Sequence, residues 1–341
     1  MKKLEVLVVF DSAGTPPENQ DFTEEFKTNA WFAESSVVKE LRRMGHTVHT
    51  LGIYDDVSLL VDNLKDKPPD IVFNLTELFM GKAHLDKNIP ALLELMNVRY
   101  TGCSAGSLEL CNNKALSKKI LMYHRIMVPR FFTFKKGKKI SIPKKLRFPV
   151  IIKPLREEAS TGISQASYAT NESRFLERVQ FIHDNMNMNA IAEEYIEGRE
   201  IYVSVIGAQR LLAFPIRDMK FSKVPDGEPH IATYKAKWDE EYRKKWGISN
   251  GFADDLPNSV TKQIHRTCKR AYRALSIDGY ARFDCRLTDT DKLYVIEANG
   301  NPDLAPDDEF AESAQRGGCS YDRLLARILN LGLEREDIIM L

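Results

Sequence analysis

A segment near the end of the chain carries four polar side chains whose spacing suits a metal ion. The pattern of residues 280–299 predicts two strands joined by a polar turn. Residues two apart in a strand point to the same side of the sheet, which places Arg282 beside Asp284. The same spacing places Glu297 beside Asn299 on the partner strand. Because Mg²⁺ takes one or two carboxylates and fills its shell with water and phosphate oxygens, this donor set predicts a site for Mg²⁺ and a phosphorylated substrate.

The alternative is a hairpin whose charges only pair with one another, since half-buried strands often carry an Arg–Asp pair. The apolar residues beside Glu297 count against this alternative. A carboxylate that is buried among them requires a partner, and a metal ion is the obvious one. The spacing alone leaves both interpretations open.

A second pattern places a lysine at the end of an apolar strand. Residues 149–154 read Pro-Val-Ile-Ile-Lys-Pro, so that Lys153 closes the run. A lysine in that position requires an anionic partner. The loop that follows contains Ser160, Thr161 and Gly162, and small residues let backbone N–H groups approach a phosphate closely. The strand therefore predicts an anionic partner for Lys153, and the loop is of a kind that admits a phosphate.

The hairpin also carries a family resemblance. Residues 279–302 contain Gly-Tyr-Ala-Arg-Phe-Asp and Ile-Glu-Ala-Asn-Gly-Asn-Pro, which resemble the metal-binding hairpin of the ATP-grasp superfamily, most of all its D-alanine–D-alanine ligase branch. The resemblance implies that Asp284, Glu297 and Asn299 hold two Mg²⁺ ions, or Mn²⁺ in their place, on the phosphates of ATP. It also implies that Arg282 acts in catalysis, by stabilising the charge on the acyl phosphate and on the tetrahedral intermediate.

The resemblance extends to the adenine end of an ATP site. Residues 190–205 are similar to the family's adenine-binding connection over almost their whole length. This similarity implies that Glu193 receives the adenine amino group and that the backbone of Tyr195 and Ile196 pairs with the edge of the ring. Glu200 would bind the ribose hydroxyls. The alternative for this segment is an acidic turn on the surface.

The family pattern adds further residues to the nucleotide site. These residues are Lys114, Lys153, Ser160, Thr161, Gly162, Lys237 and Ile296. By resemblance, Lys114 reaches the nucleotide, although the residue taken alone also fits a solvated lysine on a helix with two more lysines. Lys237 is the second lysine of the family's lid motif and would meet the γ-phosphate as a catalytic group. Ile296 would cover one face of the base.

Four departures from the family pattern lie at the amino-acid end of the site. Ala159 and Trp238 stand where the family's D-alanine–D-alanine ligases have a serine and a tyrosine. Because alanine cannot hydrogen-bond through its side chain, the family's triad with an N-terminal glutamate cannot form as such. Residues 23–26 only distantly resemble the Glu-His-Glu signature that supplies this glutamate. Asp303 and Asp308 replace a glycine and a serine that receive the second alanine's carboxylate in the family.

A carboxylate opposite a substrate carboxylate costs Coulomb energy unless a proton or a cation intervenes. The substrate-specificity residues therefore indicate an acceptor that lacks a free carboxylate or is cationic. The alternative is that the acidic residues 307–309 only favour the N-terminus of the helix that follows.

The elements that must position these residues follow a regular order. Apolar runs and helical periods alternate up to residue 102, which predicts a parallel, doubly wound sheet. Its predicted strands and helices are strands 4–10, 47–53, 70–75 and 98–101 and helices 26–44, 57–64 and 89–96. The fold class is α/β and α+β: an N-terminal pre-ATP-grasp domain followed by a two-lobed ATP-grasp fold. The expected domains are residues 1–102, 103–188 and 189–341. The second domain is expected to contain a helix at 107–125. The third is expected to contain a lid loop at 217–252, the metal hairpin at 279–302, and helices at 257–275, 310–317 and 321–331.

Composition narrows the class of partner. The 341 residues carry 49 Lys and Arg against 48 Asp and Glu, a net charge of +1 that offers no electrostatic case for nucleic acid or an anionic membrane. The five cysteines are scattered with no Cys-x-x-Cys pair, which favours reduced thiols in a cytoplasmic protein. No signal peptide or membrane helix is predicted. The expected partners are a small-molecule carboxylate and amine, and the resemblance admits a homodimer.

These observations favour an ATP-dependent carboxylate–amine ligase of the D-alanine–D-alanine ligase branch, with an acceptor other than D-alanine. One alternative is an authentic D-alanine–D-alanine ligase. An alternative of another class is a regulatory protein that kept the ATP pocket and lost ligation, against which the complete metal set and Arg282 argue.

Overall fold

The computed structural model describes residues 2–156, 162–225 and 229–335. The strands in these ranges are β1 (Glu5–Asp11), β2 (Thr47–Ile53), β3 (Ile71–Asn74), β4 (Phe131–Phe134), β5 (Val150–Pro154), β6 (Tyr168–Ala169), β7 (Ala190–Glu194), β8 (Arg199–Ile206), β9 (Leu212–Ala213), β10 (Arg217–Phe221), β11 (Ile248–Phe252), β12 (Tyr280–Leu287) and β13 (Leu293–Gly300). The α-helices are α1 (Phe32–Arg43), α2 (Ser58–Asp66), α3 (Asn88–Leu95), α4 (Ala105–Asn112), α5 (Lys114–Tyr123), α6 (Glu172–Asn185), α7 (Tyr234–Trp238), α8 (Glu240–Trp246), α9 (Asn258–Ala274), α10 (Glu309–Arg316) and α11 (Tyr321–Leu333).

The N-terminal sheet is parallel and is covered on both faces, as predicted. Its strand order is β2-β1-β3. Because side chains alternate along a strand, Val6 and Val8 of β1 pack towards α1 and α11. Leu7 and Val9 pack towards α2 and α3 on the opposite face. The predicted strand at 98–101 is only a single bridge between Val72 and Tyr100.

A four-stranded sheet with the order β4-β7-β5-β6 forms the middle of the molecule. Helix α6 packs on it through Phe175, Val179 and Ile182. Strand β7 pairs with both β4 and β5, so it belongs to this sheet. The expected domain boundary at 188 and 189 lies before this strand, whereas the hydrogen bonds keep β7 with the middle sheet.

The third sheet runs β11-β10-β8-β12-β13, with β9 also paired to β8. It contains the predicted hairpin, in which Arg282 lies opposite Asn299 and Asp284 lies opposite Glu297. Helices α4, α5 and α9 cover one face, and the inward-facing Cys285 belongs to that core. Helices α4 and α5, expected in the central lobe, therefore pack against the C-terminal sheet.

Three segments differ from their predictions, either in their bounds or in the amount of regular structure they contain. The helix expected over 107–125 is broken at Asn113, whose side chain accepts a hydrogen bond from the N–H of Leu116 and so begins α5. The expected lid loop at 217–252 contains two paired strands, β10 and β11, with α7 and α8 between them. The helix expected over 26–44 begins at Phe32, after two short 3₁₀ turns.

The N-terminal and C-terminal parts meet in a close backbone contact, which gives a test of the fold. A Cβ atom on Gly279 would lie 2.4 Å from the carbonyl oxygen of Gly102. We expect Gly279→Ala to reduce the free energy of unfolding by about 1–3 kcal/mol. The added methyl group would clash with backbone atoms, which cannot rotate away as a flexible side chain can. Gly106→Ala is the matched control, since the added Cβ meets nothing within 4 Å and lies in α4. Urea unfolding that ranks the two variants equally would contradict this packing.

Among the helices in the described ranges, none combines the length and the apolarity that crossing a bilayer requires.

Candidate active site

The hairpin brings together the four residues that its spacing singled out. The guanidinium of Arg282 donates two hydrogen bonds to the carboxylate of Asp284, at 2.8 and 3.2 Å. The side-chain amide of Asn299 donates to the same carboxylate at 3.1 Å. Glu297 lines the same cleft from the facing strand. The alternative of charges that pair with one another is thus realised in part, for Arg282 and Asp284.

The donor set fits a hard cation. The ammonium of Lys114 lies 2.6 Å from Glu297, and both side chains are largely buried. Burial alone would raise the pKa of Glu297, but Lys114 and Lys153 outweigh burial and lower this pKa to about 2. No group of three or more His, Cys, Asp or Glu side chains suited to a metal occurs in the described part of the chain. Two carboxylates and an amide oxygen are what Mg²⁺ accepts when phosphate supplies further ligands.

A buried ion-pair network lies behind the hairpin. Glu193 is 3% exposed, and its two oxygens lie 2.9 Å from the ammonium of Lys118 and 3.2 Å from that of Lys153. Lys153 therefore has the anionic partner that its place at the end of a strand requires. Glu193, expected to receive the adenine amino group, is already bound by two lysines.

Lys118 is a functional candidate that the sequence reasoning missed. It is one of the two further lysines on the helix of Lys114 and looks solvated in the sequence, yet it is 1% exposed. Burial outweighs the attraction of Glu193 and lowers the pKa of Lys118 to about 8. Its position one helical turn after Lys114 is the signal that could have found it, since residues four apart share a helix face.

Tyr195, Ile196, Glu200 and Ile296 line the same cleft, and their roles towards adenine and ribose stay a prediction. The N–H of Tyr195 donates to the carbonyl oxygen of Pro149, so that only its carbonyl oxygen is left for a base. Glu200, expected at the ribose, pairs with a second arginine that the sequence reasoning missed. This residue is Arg286, whose guanidinium lies 2.7 Å from Glu200 and also donates to the carbonyl oxygen of Gly198.

The lid element α7 closes one side of the cleft. Lys237 points inward, with its ammonium 3.9 Å from Asp284. Trp238 is 59% exposed and lines two cavities on the far side of Arg282. Gly162 is described, and a Cβ there would lie 2.6 Å from Met186. The other predicted loop residues, Ala159, Ser160 and Thr161, lie outside the described residues.

The cleft that these residues line is small. Its volume is about 90 Å³, below the range of about 300–1,000 Å³ that is usual for ligand sites. A groove of about 910 Å³ lies outside β4 and holds none of the predicted site residues. The charged and polar groups that the sequence singled out therefore meet at the small cleft and not at the larger groove.

A second cavity, which we name the acidic cavity, has a volume of about 590 Å³ and lies at the predicted amino-acid end of the site. It is lined by Asp303, Asp308 and Trp238, which the sequence singled out, and by Glu34 from the start of α1. Asp308 occupies the N-cap position of α10 but makes no side-chain capping bond. The adjacent Glu309 lies 3.0 Å from Arg282. Glu309 therefore contacts an arginine as well as lying in the first turn of α10.

Comparison with known proteins decides the family. The family model described as the C-terminus of D-ala D-ala ligase matches residues 119–330. The chain belongs to the D-alanine–D-alanine ligase family. Members of this family are ATP-dependent carbon–nitrogen ligases, which confirms the predicted enzyme class and the predicted resemblance.

Individual relatives agree with this assignment. The chain is 28% identical over 307 residues to the Sinorhizobium fredii protein named "Uncharacterized protein y4sG", covering 88% of this chain and 87% of that protein. It is 28% identical over 274 residues to D-alanine–D-alanine ligase A of Bacillus cereus, covering 80% and 84%. The Bacillus anthracis D-alanine–D-alanine ligase solved with ATP superposes with a TM-score of 0.76 at 20% identity, over 98% of this chain and 99% of that one. This likeness confirms the fold.

Glu34 is a second candidate that the sequence pattern did not reveal. Residues 23–26 line neither the cleft nor the acidic cavity, whereas Glu34 lines the cavity and is partly buried. Burial first, then the charges of Asp11 and Asp303, raise the pKa of Glu34 to about 7. An acidic residue in the first turn of a helix after a long connection is the signal that was available.

The raised pKa of Glu34 predicts a pH-dependent stability. The folded protein binds this proton more tightly than the unfolded chain, so the contribution is complete below the unfolded pKa and is lost as pH rises through about 7. Glu34→Gln should leave the free energy of unfolding near that of the unmodified protein at pH 4. At pH 8 we expect the variant to be more stable by about 3 kcal/mol. Urea unfolding at both pH values measures this difference, with the exposed Glu24→Gln as control; the same difference at both pH values would contradict it.

Proposed function

We propose that the chain joins a carboxylate to an amine at the expense of ATP, through an acyl phosphate. The observation that carries this proposal is the meeting of three lysines, an oxygen-rich hairpin and one arginine around a single cleft. These residues are Lys114, Lys153, Lys237, Asp284, Glu297, Asn299 and Arg282. Phosphoryl transfer needs mainly alignment and charge neutralisation, and this set supplies both.

In this proposal, Lys153 and Lys114 exchange part of their contact with Glu193 and Glu297 for the phosphates of ATP. Buried ammonium groups that already face carboxylates are held ready for an anion without a large cost of rearrangement. Lys237 comes from the lid and would contact the terminal phosphate. The backbone beside Tyr195 and Ile196 would hold the base, with Ile296 against its face.

Asp284, Glu297 and Asn299 would hold Mg²⁺. Bound there, the metal would neutralise the phosphate oxygens and fix their orientation. The residues fit this role because Glu297 keeps its negative charge far below neutral pH.

The proposed chemistry has two steps. A substrate carboxylate oxygen attacks the γ-phosphorus, the bond to the bridging oxygen breaks, and ADP leaves. The neutral amine of the acceptor then attacks the acyl carbon, phosphate departs with the former carboxylate oxygen, and the amine loses a proton. Arg282 lines both the cleft and the space of about 360 Å³ beside it, and it would stabilise the oxyanion of the second step. Closure of the lid would exclude the water that destroys an acyl phosphate.

The test is Mg²⁺-dependent release of ADP with a panel of D- and L-amino acids and simple amines, singly and in pairs. We expect release with a pair other than D-alanine alone, and none with Glu297→Ala. Release with D-alanine alone would make the chain an authentic D-alanine–D-alanine ligase. Binding of ATP without release under any pair would contradict ligation and favour the regulatory alternative.

A further inference from the structure

The acidic cavity is built by three separate parts of the fold. The end of β3 and the start of α1 contribute Asn74 and Glu34, the loop after β13 contributes Asp303 and Asp308, and the lid contributes Trp238. It therefore lies beyond the carboxyl end of a strand of a parallel sheet, which is where such sheets bind ligands. Its volume of about 590 Å³ falls within the usual range for small-molecule sites, about 300–1,000 Å³.

The charge of this cavity has one sign. None of its described lining residues is Lys or Arg. The five carboxylates that line it belong to Glu34, Glu77, Asp303, Asp307 and Asp308. Burial and neighbouring carboxylates raise the pKa of Glu34, and burial is also the main cause that raises the pKa of Asp308 to about 6. A cation in the cavity would favour the ionised forms of these carboxylates.

Two atoms of the lining also lack a hydrogen-bond partner. Asn74 is 1% exposed, and its side-chain Nδ2 has no partner, while its Oδ1 accepts from Thr76. The Oδ1 of Asp308 is likewise buried without a partner. Buried polar atoms are rarely left unsatisfied. The Asp308 oxygen is an acceptor and suits a cationic N–H donor, whereas Asn74 Nδ2 is a donor and suits an acceptor such as a water oxygen.

The cavity is connected to the reaction centre. An adjoining space of about 360 Å³ shares Trp238, Asp303 and Asp308 with it and is also lined by Arg282 and Lys237. A molecule in the acidic cavity can thus extend an amine towards the position where an acyl phosphate would form.

We propose that the acidic cavity binds the distal cationic group of the acceptor, which is a short aliphatic diamine. One amine would attack the acyl carbon beside Arg282, and the second, protonated amine would lie among Glu34, Asp303 and Asp308. This inference rests on the proposed function for the fate of the first amine, but not for the binding of the second. It explains why a carboxylate stands at both positions where the family receives a substrate carboxylate.

The test is direct binding of 1,4-diaminobutane to the full chain, measured by titration calorimetry at pH 8 with MgADP present. We expect 1-aminobutane and 4-aminobutanoate, which have the same carbon chain, to bind at least tenfold more weakly than the diamine. Glu34→Gln and Asp308→Asn should each weaken binding of the diamine about tenfold, whereas the exposed Glu24→Gln should not change it.

The outcomes separate this inference from the proposed function. Selective binding of the diamine that both variants weaken supports the inference even if no ADP is released, in which case ligation alone fails. Equal binding of the three compounds, or binding of the diamine that neither variant weakens, overturns it. ADP release with D-alanine as acceptor and no binding of the diamine also overturns it and leaves ligation standing. Unfolding midpoints of both variants show whether a loss of binding is a loss of fold.

Discussion

Arg282→Lys is expected to lower kcat for ligation by about 10²–10³-fold and to leave the KM for ATP nearly unchanged. Arg282 lies between the cleft and the acidic cavity. Its guanidinium nitrogens lie 2.8 Å from a carboxylate oxygen of Asp284 and 3.0 Å from one of Glu309. Its guanidinium is thus fixed before the substrate arrives, and a lysine cannot keep both contacts with one ammonium group. Steady-state kinetics with the pair that releases ADP measures the effect.

The control for Arg282 is Arg316→Lys. Arg316 pairs with Asp254 at 3.0 Å on the surface, where a replacement should alter neither kcat nor KM. Asp284 and Glu309 each lose part of their contact with the guanidinium in Arg282→Lys. The unfolding midpoint of this variant must therefore be compared with that of the unmodified protein. A normal kcat in a folded Arg282→Lys protein would contradict the role given to this arginine.

Glu297→Gln is expected to weaken divalent-metal binding by at least about 10–100-fold, the loss typical of even outer-shell partners of a metal. Glu297 supplies one of the two carboxylates in the predicted set, and Lys114 keeps it ionised. Activity should fall steeply at fixed Mg²⁺ and recover in part as Mg²⁺ is raised. Binding of Mn²⁺ in the presence of ADP can be measured by electron paramagnetic resonance. This readout does not depend on turnover.

Two further variants make the result at Glu297 interpretable. Glu297→Asp keeps a charge opposite the buried Lys114 and so protects the fold, but it shortens the reach to the metal. Asp289→Asn, in the exposed turn of the same hairpin, should bind metal normally. Unchanged Mn²⁺ affinity in a folded Glu297→Gln protein would remove this residue from the metal site.

The hairpin could be predicted because its information is local. A period of two places Arg282 and Asp284 on one side, and the apolar residues around Glu297 predict burial whatever surrounds the hairpin. Lys153 was predictable for a related reason, since a lysine at the end of an apolar strand requires an anion. The structure supplies that anion, Glu193, from the neighbouring strand β7.

The missed residues depend on contacts between distant parts of the chain. Lys118 looks solvated until Glu193 of the middle sheet is placed against its helix. Arg286 is an ordinary strand residue until Glu200 is placed opposite it by the pairing of β8 with β12. Glu34 joins the cavity only because the N-terminal domain packs beside the loop after β13. No periodicity encodes such pairs, and a family resemblance reveals only the positions that its motif contains.

We propose that ligation proceeds through an acyl phosphate in this cleft. The most direct measurement uses a donor substrate labelled with ¹⁸O in its carboxylate, together with the acceptor that supports ADP release, and follows the label by mass spectrometry of the phosphate. Attack of the carboxylate on the γ-phosphorus predicts one ¹⁸O atom in each phosphate released. Phosphate without label, formed while ADP and the amide accumulate, would contradict the account.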